Sequence, residues 1–438
     1  MLPTTQAQLK LSMKPEKIHR TDDVYGIGRD IPLNYVTRKS VDNKLVESLP
    51  RGKHLVIFGS SKQGKTCLRK HCLNTDDYIT VHCSNKWTVA DVNTAILKQA
   101  GYEVTQSTTR ATSGHAKVSA KIGFRLFGSG GETQGEAGRA HETKTQKAPL
   151  ELDPLDVNDI IRALTEVNFD RFVVLEDFHY LPTETQRDFS VALKAYHESS
   201  KLCFLIVGVW LEENRLSVYN GDLTGRVLSI DADRWENEEL LEVISAGEAL
   251  LNVRFSEQFK DALVESCFGS VHIVQEACYR ACVDEKIHIT SEEQRQLGDG
   301  LDVRTIISQV VQDQSGRFNS FLSQFAIGFE ETTLQMYRWL LYPVIRAEPH
   351  ALEKGLGLQD IRRQIGAKHP KGKELNAGNV VSALNYAAAL QVKKGVKPIV
   401  LDYDESNSLL RIVDRTFIIW LQMQDRKALL ELVDLPTE

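Results

Sequence analysis

The chemistry in this chain concentrates first in eight consecutive residues, Gly59-Ser60-Ser61-Lys62-Gln63-Gly64-Lys65-Thr66. Their spacing is G-x-x-x-x-G-K-[ST] without a mismatch. The glycines let the backbone curl so that its N–H groups converge on one centre. A helix expected from Lys65 to about Leu73 adds the positive end of its dipole. An ammonium at Lys65 and a hydroxyl at Thr66 complete the set. Such a loop fits the phosphates of a nucleoside triphosphate. Lys65 is expected at the β- and γ-phosphates, and Thr66 on a Mg²⁺ ion. The expected nucleotide contacts are Gly59, Ser60, Ser61, Lys62, Gln63, Gly64, Lys65, Thr66 and the adjoining Cys67.

A second cluster is acidic. Phe172-Val-Val-Leu175 runs into Glu176 and Asp177, an apolar strand ending in two carboxylates. One such group holds the shell of a bound metal, and the next orients an attacking water. Register assigns Glu176 to the metal and Asp177 to the water. The reverse order is the more usual one, so both residues stay candidates for both roles. The expected metal set is therefore Thr66, Glu176 and Asp177, with ATP and Mg²⁺ as cofactors. Lys65, Glu176 and Asp177 form the core of the catalytic set.

Those residues need a scaffold. His54–Phe58 is apolar enough for a buried strand before the loop. Further strands are expected at Tyr78–Cys83, Phe172–Leu175, Cys203–Val209 and Val227–Ile230, with helices between them. Thr88-Val-Ala-Asp91 has the form of a capping box, and Asp156 that of an N-cap. Strands alternating with helices predict an α/β fold, a P-loop NTPase parallel sheet with helices on both faces. Residues 104–150 interrupt the pattern. There Val118, Ala120, Ile122, Phe124 and Leu126 alternate with Lys117, Ser119, Lys121 and Arg125, which predicts a strand with a basic face. Gly128–Gly131 and Gly135–Gly138 predict turns. This insertion explains why Glu176 lies 111 residues after Lys65.

The stretch after 235 reads as helix only. The last third reads as three helices and a two-stranded ribbon, the pattern of a winged helix-turn-helix domain. The expected organisation is an N-terminal arm at 1–34, a P-loop core at 35–235 with the insertion 104–150, a helical lid at 236–313 and a winged helix domain at 314–438.

Composition narrows the classes. The chain has 438 residues, room for about three domains. It has 53 basic and 59 acidic residues, a net charge of −6, which excludes coating of nucleic acid by bulk charge. Hydrophobic residues make up 42% and charged residues 26%, as in a folded soluble protein. Seven cysteines are scattered without a C-x-x-C pair, which predicts reduced thiols in a cytoplasmic setting. No apolar run approaches the ~20 residues of a membrane helix, so no membrane partner is expected.

On the Gly59–Thr66 loop, the acidic strand end and this layout, the sequence resembles the AAA+/STAND group of P-loop ATPases. It is most similar to the origin-recognition and TniB-like branch, which also carries a winged helix. The resemblance covers roughly residues 35–300 for the ATPase and lid. It implies an ATP hydrolase, slow without a partner, that forms a homo-oligomer. It further implies that Arg226 is an arginine finger; the alternative is a surface arginine capping a strand. It implies that the strand Phe204–Val207 ends at a phosphate sensor, although Gly208, Val209 and Trp210 supply no polar group there. It places His272 where the lid helix begins beside phosphate, in a position that usually holds Arg or Pro. Arg38 is implied to lie near the adenine.

Between Lys354 and Lys397 stand nine basic residues against two acidic, a local net of +7. DNA is the implied partner through Arg362, Arg363, Lys371, Lys373, Lys393 and Lys394, which flank the recognition helix and wing. Asn379, Ser382, Asn385 and Tyr386 are candidates for base or sugar contacts. A winged helix that contacts protein instead is the alternative. Two functions follow. One is an oligomeric ATPase that couples nucleotide to DNA or partner binding. The other is a nucleotide-gated sensor with little turnover and a protein partner, as in bacterial defence against phage.

Overall fold

The computed structural model describes residues 17–110, 116–122, 150–233, 235–330 and 332–437. In chain order its strands are β1 (His54–Phe58), β2 (Tyr78–His82), β3 (Tyr102–Arg110), β4 (Ala116–Ile122), β5 (Leu150–Leu152), β6 (Phe172–Glu176), β7 (Phe204–Val207), β8 (Val227–Asp231), β9 (Val253–Phe255), β10 (Arg295–Leu297), β11 (Leu356–Gly357), β12 (Leu401–Asp404) and β13 (Leu409–Ile412). The chain divides into two compact units. One comprises Leu45–Phe58 and Leu73–Ile230; the other comprises Met1–Lys44, Gly59–Cys72 and Asp231–Glu438.

The first unit is built on a five-stranded sheet of order β2-β6-β7-β1-β8. β2–β6, β6–β7 and β7–β1 pair in parallel, with Val56 opposite Ile206 and Val174 opposite Leu205. Every residue of β1 and β7 is buried. A strand buried at each successive position has both faces covered, so its apolar residues need not alternate with polar ones. The helix Val89–Gln99 opens with the Thr88/Asp91 capping box and buries Val92, Ile96 and Leu97. Asp156 caps Val157–Glu166 through the Asn158 N–H. The helix Thr183–Ser199 buries Phe189, Leu193 and Tyr196.

The interruption after Gly101 is a small antiparallel sheet of order β3-β4-β5. Val118 and Ala120 are buried while Lys121 is exposed, so the period of two sets one face of β4 inward. They share a core with the helices above, and Tyr102 donates to the Ala163 carbonyl at 2.6 Å. Phe124, Arg125, Leu126 and the glycine turns lie outside the described residues.

The second unit has one continuous core from Val24 to Leu435. Residues 17–34 are polar in sequence and mostly irregular, yet they pack against the rest of this unit. They contain a short helix, Thr21–Val24, and bury Val24 and Tyr25 fully. The Tyr25 hydroxyl donates to the Ile244 carbonyl at 2.6 Å. A Cβ on Gly247 would meet the Tyr25 ring at 2.2 Å, so glycine makes the room. The region after 235 is not helix alone: β9 and β10 pair in parallel within it.

Near the C-terminus the helices Met336–Arg346, Leu358–Lys368 and Ala377–Asn385 accompany a sheet of order β11-β13-β12. The two-stranded ribbon expected here, β12 and β13, is joined by a third strand, β11. The helix expected from Asn376 to Leu390 breaks at Tyr386 and resumes at Ala387–Lys393.

Candidate functional site

The loop Gly59–Thr66 follows β1 and leads into the helix Lys65–Cys72. Its backbone uses the left-handed region at Gly59 (φ +146), Lys62 (φ +62) and Gly64 (φ +80). Gly59 is required on two counts: its φ disfavours a side chain, and a Cβ there would lie 2.8 Å from the Asp233 nitrogen. Lys65 is 8% exposed. Its Nζ donates to the carbonyls of Gly59 at 3.0 Å and Ser60 at 2.6 Å. Thr66 is exposed and Cys67 half-buried on the first helical turn.

Several residues of the same unit surround this loop. The Ser60 N–H donates to Asp233 Oδ1 at 2.7 Å, and the Ser61 N–H to the Val413 carbonyl at 2.7 Å. Gln63 is fully buried. Its Nε2 donates to the Gly269 carbonyl at 3.0 Å, and its Oε1 accepts from the Val271 N–H at 3.3 Å. Trp235 Nε1 donates to the Gln63 carbonyl at 3.4 Å. Arg38 stacks on the Trp235 ring at 4.1 Å and donates to the Ala232 carbonyl at 3.0 Å. Burial lowers the Arg38 pKa, and the negative groups around it pull the other way.

His272 lies on the first turn of the helix Val271–Asp284. Lys62 Nζ donates to its Nε2 at 3.1 Å, which calls for a neutral ring. Burial pushes the imidazole down to about 3, and the Lys62 and Arg317 charges add to this. The structure thus gathers Gly59–Cys67, Arg38 and His272 in one unit. Asp233, Trp235, Val413 and Arg415 join them, and no sequence motif pointed to these four.

Glu176, Asp177 and Arg226 belong to the sheet-bearing unit. Glu176 ends β6 and is 6% exposed; its carbonyl accepts from the Cys83 N–H at 2.9 Å. Asp177 follows in the left-handed region, φ +60, and turns the chain into Phe178–Tyr180. β7 lies between β6 and β1, all parallel, so the three C-terminal ends share one edge. At about 4.8 Å per strand, the ends of β1 and β6 are roughly 10 Å apart.

Beyond β7 the Gly208 N–H donates to the Ile57 carbonyl at 3.1 Å. Trp210 folds back fully buried, and a Cβ on Gly208 would overlap its ring at 1.6 Å. Arg215 pairs with Glu212 at 3.4 Å, both side chains under 10% exposed, and its guanidinium lies 5.2 Å from the Trp210 ring centroid. Arg226 pairs with Glu198 at 2.7 Å and donates to the Asp222 carbonyl. Its guanidinium is therefore satisfied within its own chain.

In the C-terminal region Arg362, Arg363, Lys373 and Lys393 are exposed, and Lys371 and Lys394 half-buried. Arg363 pairs with Asp360 at 2.6 Å, and Lys393 lies 5.0 Å from the Phe329 ring centroid. Gln359, Arg362, Arg363, Gly366, Gly372 and Asn376 line a pocket of about 310 Å³ between the two helices. The Asn379 Oδ1 takes part in the cap, accepting from the Asn376 N–H at 3.0 Å. Ser382, Asn385 and Tyr386 remain exposed. Among the described residues no helix is long and apolar enough to cross a membrane, and no three His, Cys, Asp or Glu side chains cluster as metal ligands. All seven cysteines are free thiols.

No family model matches the chain, and no curated protein does. Among solved structures it is similar to the Walker-type ATPase PABY2304 of Pyrococcus abyssi, with TM-score 0.48 and 12% identity over 91% of this chain and 99% of that one. It is similar to Cdc6p of Pyrobaculum aerophilum, with TM-score 0.42 and 11% identity over 94% and 98%. It is also similar to the Aeropyrum pernix ORC1 protein, solved in complex with DNA, with TM-score 0.42 and 10% identity over 94% and 97%.

Proposed function

We propose that this chain is a P-loop ATPase of AAA+ type that binds ATP with Mg²⁺ and couples nucleotide to DNA or partner binding. The observation that carries the reading is the loop itself. It follows a buried strand, passes through left-handed backbone at Gly59, Lys62 and Gly64, and delivers Lys65 and Thr66 at a helix start. That geometry suits the backbone N–H groups and the helix dipole to an anionic triphosphate.

The Thr66 hydroxyl and the Glu176 and Asp177 carboxylates are hard oxygen donors, the kind Mg²⁺ takes. The ion would supply charge neutralisation at the phosphates. Lys65 exchanges its two carbonyl partners for phosphate oxygens, a charge-assisted gain over neutral acceptors. Glu176 and Asp177 orient a water for attack, and either can hold its proton. His272, Arg38 and Arg226 enter as secondary contacts. Arg226 acts on a neighbouring subunit of a homo-oligomer only after leaving Glu198.

The C-terminal region is proposed as a winged helix that binds DNA through Arg362, Arg363, Lys371, Lys373, Lys393 and Lys394. A second reading, a slow nucleotide-gated switch with a protein partner, is favoured by two features. Buried Trp210 stands where a polar sensor is expected, and Arg226 is already paired.

Hydrolysis and DNA binding, measured together, test both. Glu176→Gln or Asp177→Asn should keep ATP binding and lose turnover. Duplex binding at low salt should weaken steeply as salt rises, and Arg362→Ala with Arg363→Ala should flatten that slope by about two units. Absence of DNA binding at low salt removes the DNA reading. Fast ATP turnover with no partner removes the switch.

A further inference from the structure

One side of the phosphate loop is held by polar contacts that reach the C-terminal helices. Asp233 Oδ1 accepts the Ser60 N–H at 2.7 Å. Its other oxygen is paired with Arg415 Nη2. Arg415 Nη1 donates to the Phe268 carbonyl at 2.5 Å and lies 3.8 Å from Glu353. Two residues earlier, the Val413 carbonyl takes the Ser61 N–H at 2.7 Å. Asp414, between them, is almost fully buried and binds Arg317 at 2.5 Å. Two adjacent loop amides are thus fixed by residues at least 173 positions away in sequence.

The charges decide what this arrangement does. Asp233 is buried, and burial by itself would push its carboxyl up. The Arg415 guanidinium and the Ser60 hydrogen bond outweigh that and hold it ionised. Without Arg415 an uncompensated negative charge would sit against the loop that receives a triphosphate. A buried carboxylate stripped of its partner is strongly unfavourable, and it repels any further anion brought near it.

We infer that Asp233 and Arg415 are positioning residues of the phosphate loop: Asp233 holds the Ser60 N–H, Arg415 cancels the carboxylate charge that would repel the nucleotide, and with the Val413 carbonyl on Ser61 they tie nucleotide affinity to the Val413–Arg415 segment of the C-terminal domain. This rests on the loop being the ATP site. In this arrangement Arg415 acts through Asp233. Asp233→Asn keeps an oxygen for the Ser60 N–H while removing the charge. The two substitutions therefore have unequal effects, and the second relieves the first.

The test is MgATP affinity of the full chain, by equilibrium binding, for the wild type, Arg415→Gln, Asp233→Asn and the double variant. Arg415→Gln should bind at least about tenfold more weakly. Asp233→Asn should stay within about threefold of the wild type, and the double variant should recover most of the loss. A merely structural pair would lower the denaturation midpoint of the variants and leave their MgATP affinity at the wild-type value. If the wild type binds no ATP, the ATP-site reading fails. If the wild type binds, and Arg415→Gln matches it or the double variant is no better than Arg415→Gln, the positioning role is overturned. Should Arg415→Gln not fold, hydrogen exchange decides. MgATP should slow exchange at the Ser61 and Thr416 amides in the wild type and less so in Asp233→Asn. No change at those amides in a wild type that binds ATP overturns the inference.

Discussion

Replacing Gly59 with alanine tests the loop's shape. The residue has φ +146, where a side chain is strained by about 1–3 kcal/mol. The new Cβ would also lie 2.8 Å from the Asp233 nitrogen and 3.1 Å from its Cα. Backbone atoms cannot swing aside as a side-chain tip does, and Asp233 is pinned by Ser60 and Arg415. Overpacking of that kind costs about 1–3 kcal/mol. The two effects together come to roughly 2–6 kcal/mol. Gly395 supplies the control within the same unit: φ is +77, but nothing lies within 4 Å of its Cβ position. Alanine there should cost only the conformational part, about 1–2 kcal/mol. Urea denaturation followed by circular dichroism reads both variants. Gly59→Ala should lower the midpoint clearly more than Gly395→Ala, and should weaken MgATP binding as Ser60 and Ser61 shift. Equal midpoints would refute the claim that the Asp233 backbone confines the loop.

Other outcomes follow from the same structure. The folded pKa of His272, about 3, lies below its ordinary 6.5, so the unfolded chain binds the extra proton first and stability falls as pH drops from 6.5 toward 3. Between pH 6.5 and 5 the loss is about 2 kcal/mol, and His272→Gln should remove that slope from a series of denaturation midpoints. Gly247→Ala should destabilise by about 1–3 kcal/mol, because its Cβ would strike the Tyr25 ring. Tyr25→Phe should cost about 1 kcal/mol through the lost bond to the Ile244 carbonyl. Neutral results for both would mean that residues 17–34 contribute nothing to the core.

The parts legible in the sequence were those set by local pattern. The apolar run His54–Phe58, the Thr88/Asp91 box and the Asp156 cap each depend on neighbours a few residues away, and each gave its element. The alternation in β4 was readable for the same reason. The pairs β9–β10 and β11–β13 escaped because their shortest strands span two or three residues and carry no period. The sequence 17–34 looked like an arm because its two buried apolar residues, Val24 and Tyr25, are surrounded by polar ones. Only the distant Gly247 reveals the space they fill.

The site divides the same way. The roles proposed for Gly59, Lys65, Thr66 and the Glu176-Asp177 pair rest on their spacing. Asp233, Trp235, Val413 and Arg415 do not, since Asp233 and Arg415 meet across 182 positions. Buried ion pairs between distant segments leave no periodic trace. The pairing of Arg226 with Glu198, which bears on the finger role proposed for it, was equally invisible.

MgATP binding by the wild type and by Lys65→Ala, measured calorimetrically on the full chain, tests the central claim most directly. The wild type should bind saturably, and Lys65→Ala should bind at least about tenfold more weakly, a loss of about 1.4 kcal/mol or more. No binding by the wild type, or equal affinity in the two proteins, would contradict a nucleotide site at Gly59–Thr66.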